Sequence, residues 1–246
     1  MGKKTLYETH PHDRIIIKKG YSIYTLHTFA RAWKRLFTWA VEEGYLESSP
    51  GKRLQLPRLP KPDPKAISRN AINELLRAAK NFSKNPERDY AIIRFLASSN
   101  ARVGGVAGLT LGELDVDSRT ALVHEKGRGG NGKTRRVFFD HQTANALIEW
   151  LRSRSACDDR VFSLSESGIY QMLRRRSRDV VVTGPSSPHS FRHGFAKETL
   201  RQGANLAQVS QMMGHSSSVV TVEYYGQFTE DELREFHDRY SWVPNV

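Results

Sequence analysis

Cysteine is nearly absent from this 246-residue chain. The single Cys157 excludes an internal disulfide or a zinc site built on several cysteines, and suits a reducing cytosol. No run approaches the roughly 18 apolar residues of a membrane span. The polar start Met1-Gly2-Lys3-Lys4 lacks the apolar stretch of a secretion signal, and Leu6 stands where N-myristoylation requires Ser or Thr. A cytoplasmic protein with no membrane partner is expected. Negative charge is also scarce: 38 Lys and Arg face 26 Asp and Glu, a formal net charge of +12. Such an excess favours a polyanionic partner, because neutralising phosphates releases counterions.

What is present is 38% hydrophobic residues, enough for one sizeable core plus an appendage. Proline, elsewhere sparse, concentrates in Leu56-Pro57-Arg58-Leu59-Pro60-Lys61-Pro62-Asp63-Pro64-Lys65, which forbids a helix and favours an extended tether. The expected organisation is a small helical unit over residues 1–56, a linker over 57–66 and a main domain over 67–246. In the front unit Leu26, Phe29, Trp33, Leu36, Phe37, Ala40 and Val41 recur at helical spacing between about residues 24 and 43. Arg31, Lys34 and Arg35 are expected on the opposite face, as candidate DNA contacts. Residues 1–62 carry twelve Lys or Arg against five Asp or Glu, so the front unit is the denser basic patch. One good helix plus a tail is too little for an independent core. The unit is therefore incomplete as a domain, or it leans on DNA or on neighbours.

Beyond the tether, Ser68 caps a predicted helix through about Lys80, and a second runs from Pro86 to about Ser99. Alternation over 120–125 and 134–139 predicts two strands around the glycine-rich turn Gly127-Arg-Gly-Gly-Asn-Gly132. Arg128 and Lys133 on its rim are further candidate DNA contacts. Helical patterns resume at about 141–154, 167–178, 190–202, 205–213 and 229–239. The fold class is mainly α with a small antiparallel β-sheet.

His189-Ser-Phe-Arg192 opens one of these helices, with both side chains on one face near amide groups that favour an anion. Alone the motif is weak, since about one His-x-x-Arg is expected by chance in a chain of this composition. Its sequel is more telling: Gly214-His215 follows Arg192 by 23 residues, and Tyr224 follows His215 by nine.

His189-Ser-Phe-Arg-His-Gly-Phe-Ala196, Met213-Gly-His-Ser-Ser217 and Thr221-Val-Glu-Tyr224 together resemble the C-terminal signature of the tyrosine recombinase, or phage integrase, family. Asn100-Ala-Arg102 resembles the segment carrying that family's first arginine, and Glu125-Lys126-Gly127 its β-hairpin lysine. The resemblance spans about residues 67–240, with softer matches over Phe37–Pro50 to the end of a core-binding domain. It implies a tyrosine-recombinase-like catalytic domain behind a short helical DNA-binding unit, in a compact member without an arm-binding domain. It also implies a site-specific recombinase or integrase acting on double-stranded core-type sites. A homotetramer exchanging strands through a Holliday junction, and accessory DNA-bending proteins, come with it as expected partners.

The chemistry fits the inventory. Guanidiniums can grip two phosphate oxygens at once, the part expected of Arg102 and Arg192. A phenol with a pKa near 10 must lose its proton to attack, and His189 is the candidate base. Lys126 is the candidate acid for the departing 5′ oxygen, and His215 the group that positions Tyr224. The product is a 3′-phosphotyrosyl linkage, with no cofactor and no metal required.

Gly105 departs from the family, which usually carries an acid three residues after the first arginine. Lys133 competes with Lys126, and Tyr225 sits beside Tyr224. A type IB topoisomerase, a non-catalytic DNA-binding regulator and a metal-dependent nuclease using His189 and His193 are the rival readings.

Overall fold

The computed structural model describes residues 20–60, 65–126, 132–155, 158–180 and 182–214. The proposed Arg128, His215 and Tyr224, together with Cys157, Tyr225 and the expected helix at 229–239, lie outside the described residues, as does the side chain of Lys126. The chain divides into two compact units, residues 1–61 and 62–246. Among the described residues no helix is long and apolar enough to cross a membrane.

In the first unit, helix α1 (Ile23–Glu42) begins where the Ser22 hydroxyl accepts the Thr25 amide, offsetting one of the orphan donors of the first turn. The chain then returns through a 3-10 turn, Pro50–Arg53. Gly51 lies so close to α1 that a Cβ there would come within 3.3 Å of Lys34 Cα and Phe37 Cδ2. Farther along, His27 Nδ1 donates to the Pro57 carbonyl at 2.8 Å. This packing corrects the expected faces of the helix. The covered stripe holds Ala30, Lys34, Phe37 and Val41, with Ala30 buried and the others half-buried. Phe29, Trp33 and Leu36 are exposed, as are Arg31 and Arg35. Lys34 therefore does not share an open basic face with the two arginines. The cause is the returning chain, which selects the face it covers, and apolar spacing carries no record of that choice.

The second unit is built from α2 (Arg69–Phe82), α3 (Pro86–Ser99), α4 (Val103–Gly108), strands β1 (Leu114–Asp115), β2 (Thr120–Lys126) and β3 (Gly132–Phe138), then α5 (His141–Ser153), α6 (Glu166–Asp179), α7 (Pro188–Arg201) and α8 (Leu206–Met213). It is mainly α with a three-stranded antiparallel sheet in the order β1-β2-β3, the class expected from sequence. Side-chain caps by Ser68, Asp140, Ser165, Ser187 and Asn205 start α2, α5, α6, α7 and α8. The core centres on α3, whose Ile92, Ile93, Phe95 and Leu96 are buried with Leu75, Leu147, Phe162, Leu173 and Phe191. Each such side chain contributes about 1.5–3 kcal/mol on leaving water.

Two packing details aim the site. Gly194 in α7 abuts the segment before α2 so closely that a Cβ would meet the Ile67 carbonyl oxygen at 2.8 Å. On the sheet, Val123 pairs with Arg135 and Glu125 with Lys133. Alternation buries Ala121, Val123 and Glu125 together against the body. Helix α4 and strand β1 escaped the periodicity reading. The six residues Val-Gly-Gly-Val-Ala-Gly are too glycine-rich to signal a helix, which forms because Gly105 can settle against Val123.

Candidate active site

Five element ends converge: the C-terminus of α3, the N-terminus of α4, the end of the β2–β3 ladder, the first turn of α7 and the last turn of α8. Helix α3 ends at Asn100, in the left-handed conformation with φ 58°. A short polar residue tolerates that conformation, and it turns the Asn100 carbonyl toward the basic groups. Arg192 Nη1 donates to this carbonyl at 2.9 Å and Arg135 Nη2 at 3.1 Å.

Arg192 is buried, and its Nη2 also donates to the Met213 carbonyl. Arg135 Nη1 reaches the Met212 carbonyl at 2.6 Å, and Lys133 Nζ the Gly214 carbonyl at 3.0 Å. The last carbonyls of α8 lack intrahelical partners and sit at the negative end of the helix dipole. Here three successive ones each receive a cationic donor. Gly214 makes the approach possible, with φ 64° and a notional Cβ only 2.7 Å from Arg135 Cδ. The hairpin and α7 thus both grip the end of α8, immediately before His215.

Arg102 caps the start of α4 in an extended conformation and is half-exposed. Its guanidinium pairs through Nη1 with Glu125 Oε2, and its backbone N–H donates to Glu125 Oε1 at 2.8 Å. Arg135 Nη2 donates to the same oxygen at 2.9 Å. Burial pushes the Glu125 carboxyl up. The Arg102 amide, the Arg135 hydrogen bond and the charges of both arginines outweigh that, holding it below the usual glutamate range.

His189 stands on the exposed rim of α7, its ring edge-to-face with His193 at 4.3 Å between centroids. Partial loss of water around the ring, then the charges of Arg192 and Arg102, lower its pKa from the ordinary 6.5. The shift favours the neutral ring, the form in which an imidazole can accept a proton. Among the described residues no group of three or more His, Cys, Asp and Glu side chains gathers where a metal would bind.

The structure thus brings Arg102, Arg192 and His189 into one basic neighbourhood, with Lys133 at its hairpin edge. Lys126 ends β2 opposite Gly132 in the register. Arg31, Lys34 and Arg35 belong to the other unit. Sequence reasoning missed Asn100, Glu125 and Arg135. Only Glu125 left a signal: it occupies the inward phase of the Ala121-x-Val123-x-Glu125 alternation, where a carboxylate demands buried partners.

Residues 65–231 match the model of the phage integrase family. The tyrosine recombinase XerC of Corynebacterium efficiens is 32% identical over 228 residues, covering 89% of this chain and 72% of that protein. The XerC of Oceanobacillus iheyensis is 29% identical over 245 residues, covering 94% and 75%. Among solved structures, the XerA recombinase superposes with a TM-score of 0.61 at 24% identity, over 92% of this chain and 78% of the other. A Tn1549 transposon integrase in complex with transposon right end DNA gives 0.71 at 20% identity, over 90% and 80%. The chain belongs to the phage integrase family. Its activity is that of a tyrosine-type, site-specific recombinase of DNA.

Proposed function

We propose that Tyr224 opens one DNA strand by attacking a phosphate held by Arg102 and Arg192. The phenol gives its proton to His189 as its oxygen bonds to phosphorus. The bond from phosphorus to the 5′ oxygen breaks, and that oxygen takes a proton from Lys126. Charge gathering on the nonbridging oxygens in the pentacoordinate state is met by the two guanidiniums, and His215 holds the phosphate and tyrosine in register. A 3′-phosphotyrosyl bond and a free 5′-hydroxyl remain. Attack by the 5′-hydroxyl of another strand reverses each transfer and rejoins the DNA. The bond energy is conserved throughout, so no cofactor enters.

The observation that carries this reading is the convergence of Arg102, Arg192 and His189, whose pKa the two arginines help to lower, on the helix ends that lead to His215. A DNA-binding regulator has no use for a base of lowered pKa among arginines. The XerC relatives favour recombination at defined sites over topoisomerase-like relaxation. The work is assigned to four protomers on two duplexes. Residues 1–56 contact core-type sites through Arg31 and Arg35, with Lys34 nearer the packed stripe. Residues 67–246 act as the catalytic domain, Arg128 and Lys133 add backbone contacts at the hairpin, and the setting is the cytoplasm.

The test is a suicide substrate, nicked so that cleavage releases a short fragment and traps the enzyme. Wild type should form a covalent adduct in EDTA, and Tyr224→Phe should form none. An adduct in the mutant, or a chelator-sensitive wild type, overturns the mechanism.

A further inference from the structure

We propose that Glu125 is the positioning carboxylate of the site, delivered from β2 into the space that Gly105 leaves open on α4, and that it fixes Arg102 against the phosphate. The proposal rests on Arg102 gripping the phosphate, as argued above.

Three observations carry it. The first is steric. A Cβ on Gly105 would stand 3.0 Å from Val123 Cβ and 3.4 Å from Glu125 Cγ. Position 105, where family resemblance leads one to expect an acid, and the Glu125 side chain therefore compete for one volume. Glycine on the helix allows glutamate on the strand.

The second is the hydrogen bonding. The Glu125 side chain is 1% exposed, a placement that costs several kcal/mol for an unpaired carboxylate. Its pairing is thorough and asymmetric. Arg102 is held at both ends of its side chain, by its own amide on Oε1 and by its guanidinium on Oε2. With the amide and Nη1 both held by one carboxylate, the guanidinium has little freedom to swing. The exposed part of Arg102 then faces outward in one orientation, a form of pre-organisation for an anion.

The third is connectivity. Oε1 also receives Arg135 Nη2, which shares the Asn100 carbonyl with Arg192. Arg102 and Arg192 are thereby linked through Glu125, Arg135 and one backbone carbonyl. The carboxylate sets the spacing of two cations that would otherwise repel each other.

A residue that merely neutralised buried charge would be replaceable by anything that preserves folding. Glu125→Gln keeps the shape and one acceptor but turns an amide NH2 toward an arginine. Single-turnover cleavage of the suicide substrate should fall on the order of 100-fold at a temperature where circular dichroism shows the variant still folded, with affinity for uncleaved DNA retained. Glu125→Gly opens a cavity between the arginines, and millimolar formate should restore cleavage at least about tenfold, part of the loss that follows from misplacing Arg102. Chloride at equal ionic strength should not. Cleavage by Glu125→Gln at the wild-type rate overturns the proposal. So does a loss that merely follows unfolding, or Glu125→Gly indifferent to formate. Adduct formation by wild type, scored alongside, reports separately on the tyrosine chemistry.

Discussion

Arg135 of β3 and Arg192 of α7 meet on a single acceptor, the carbonyl oxygen of Asn100. The carbonyl is available because Asn100 leaves the helical path at φ 58°, and no hydrogen bond to its own side-chain amide is found among the described residues. The backbone conformation is thus what matters at this position. Asn100→Gly should match or exceed the wild type in stability, Asn100→Ala should lose about 1 kcal/mol, and Asn100→Val more, because a branched Cβ strains most in the left-handed region. Denaturant midpoints would give the order, and an alanine variant as stable as the glycine one would refute it.

Gly214 carries a comparable constraint with a steric addition. An alanine there must adopt φ 64° and put its Cβ 2.7 Å from Arg135 Cδ. Arg135 cannot withdraw cheaply, being held by Met212, Asn100 and Glu125. Gly214→Ala should therefore cost about 1–3 kcal/mol and slow cleavage. Combined with Arg135→Ala, it should cost less than the two single losses added, since the clash is then gone. Strict additivity in a double-mutant cycle would show that the close approach is not the cause.

These two positions also show how far the sequence could be read. The Ser68 cap, the helices over 69–99 and 141–213 and the hairpin strands were legible because apolar period and capping chemistry are local. Arg102, His189 and Arg192, which gather in one basic neighbourhood, stood out as part of an ordered set with fixed spacings, while His215 and Tyr224 of that set lie outside the described residues. Asn100 and Arg135 were not, since their roles come from a backbone carbonyl and from a long-range approach to α8. Lys34 was misplaced for a similar reason: the 3-10 turn at 50–53, not helical period, decides which side of α1 is covered. Glu125 lay between these cases. Its burial could be inferred from alternation, but its partners depended on α4, a helix that composition conceals.

His189 gives a pH dependence of definite sign. Its folded-state pKa lies below 6.5, so protonation is harder in the native protein than in the unfolded chain. This group removes stability as pH falls from about 6.5 through its lowered pKa, and has no effect above that window. The cleavage rate should fall on the acid side with a midpoint below 6.5 and be flat in this limb for His189→Gln, at a lower level. A limb that persists unchanged in the variant would assign the base elsewhere.

The two hairpin lysines can be separated by the leaving group. Lys133 is committed to the Gly214 carbonyl, a positioning contact, whereas Lys126 is assigned the proton transfer. A substrate with sulfur in place of the bridging 5′ oxygen leaves without protonation. Lys126→Ala should lose about 100-fold or more on normal DNA and recover on the sulfur substrate. Lys133→Ala should be impaired on both. If rescue follows Lys133 instead, the general acid is on β3.

On α1 the corrected face makes a prediction about salt. Arg31 and Arg35 are exposed, whereas Lys34 lies half-buried against the turn at Gly51. Each exposed arginine that meets a phosphate releases about one counterion on binding, so its alanine variant should lower the slope of log affinity against log salt by about one. Arg31→Ala and Arg35→Ala should each do this without altering stability. Lys34→Ala should change the slope less and lower the melting temperature of the front unit, because its methylene stem is part of the packed stripe. Titrations at several salt concentrations distinguish the outcomes. Three equal slope changes would mean that Lys34 leaves the stripe to meet DNA, and that the return segment of the unit repacks on binding.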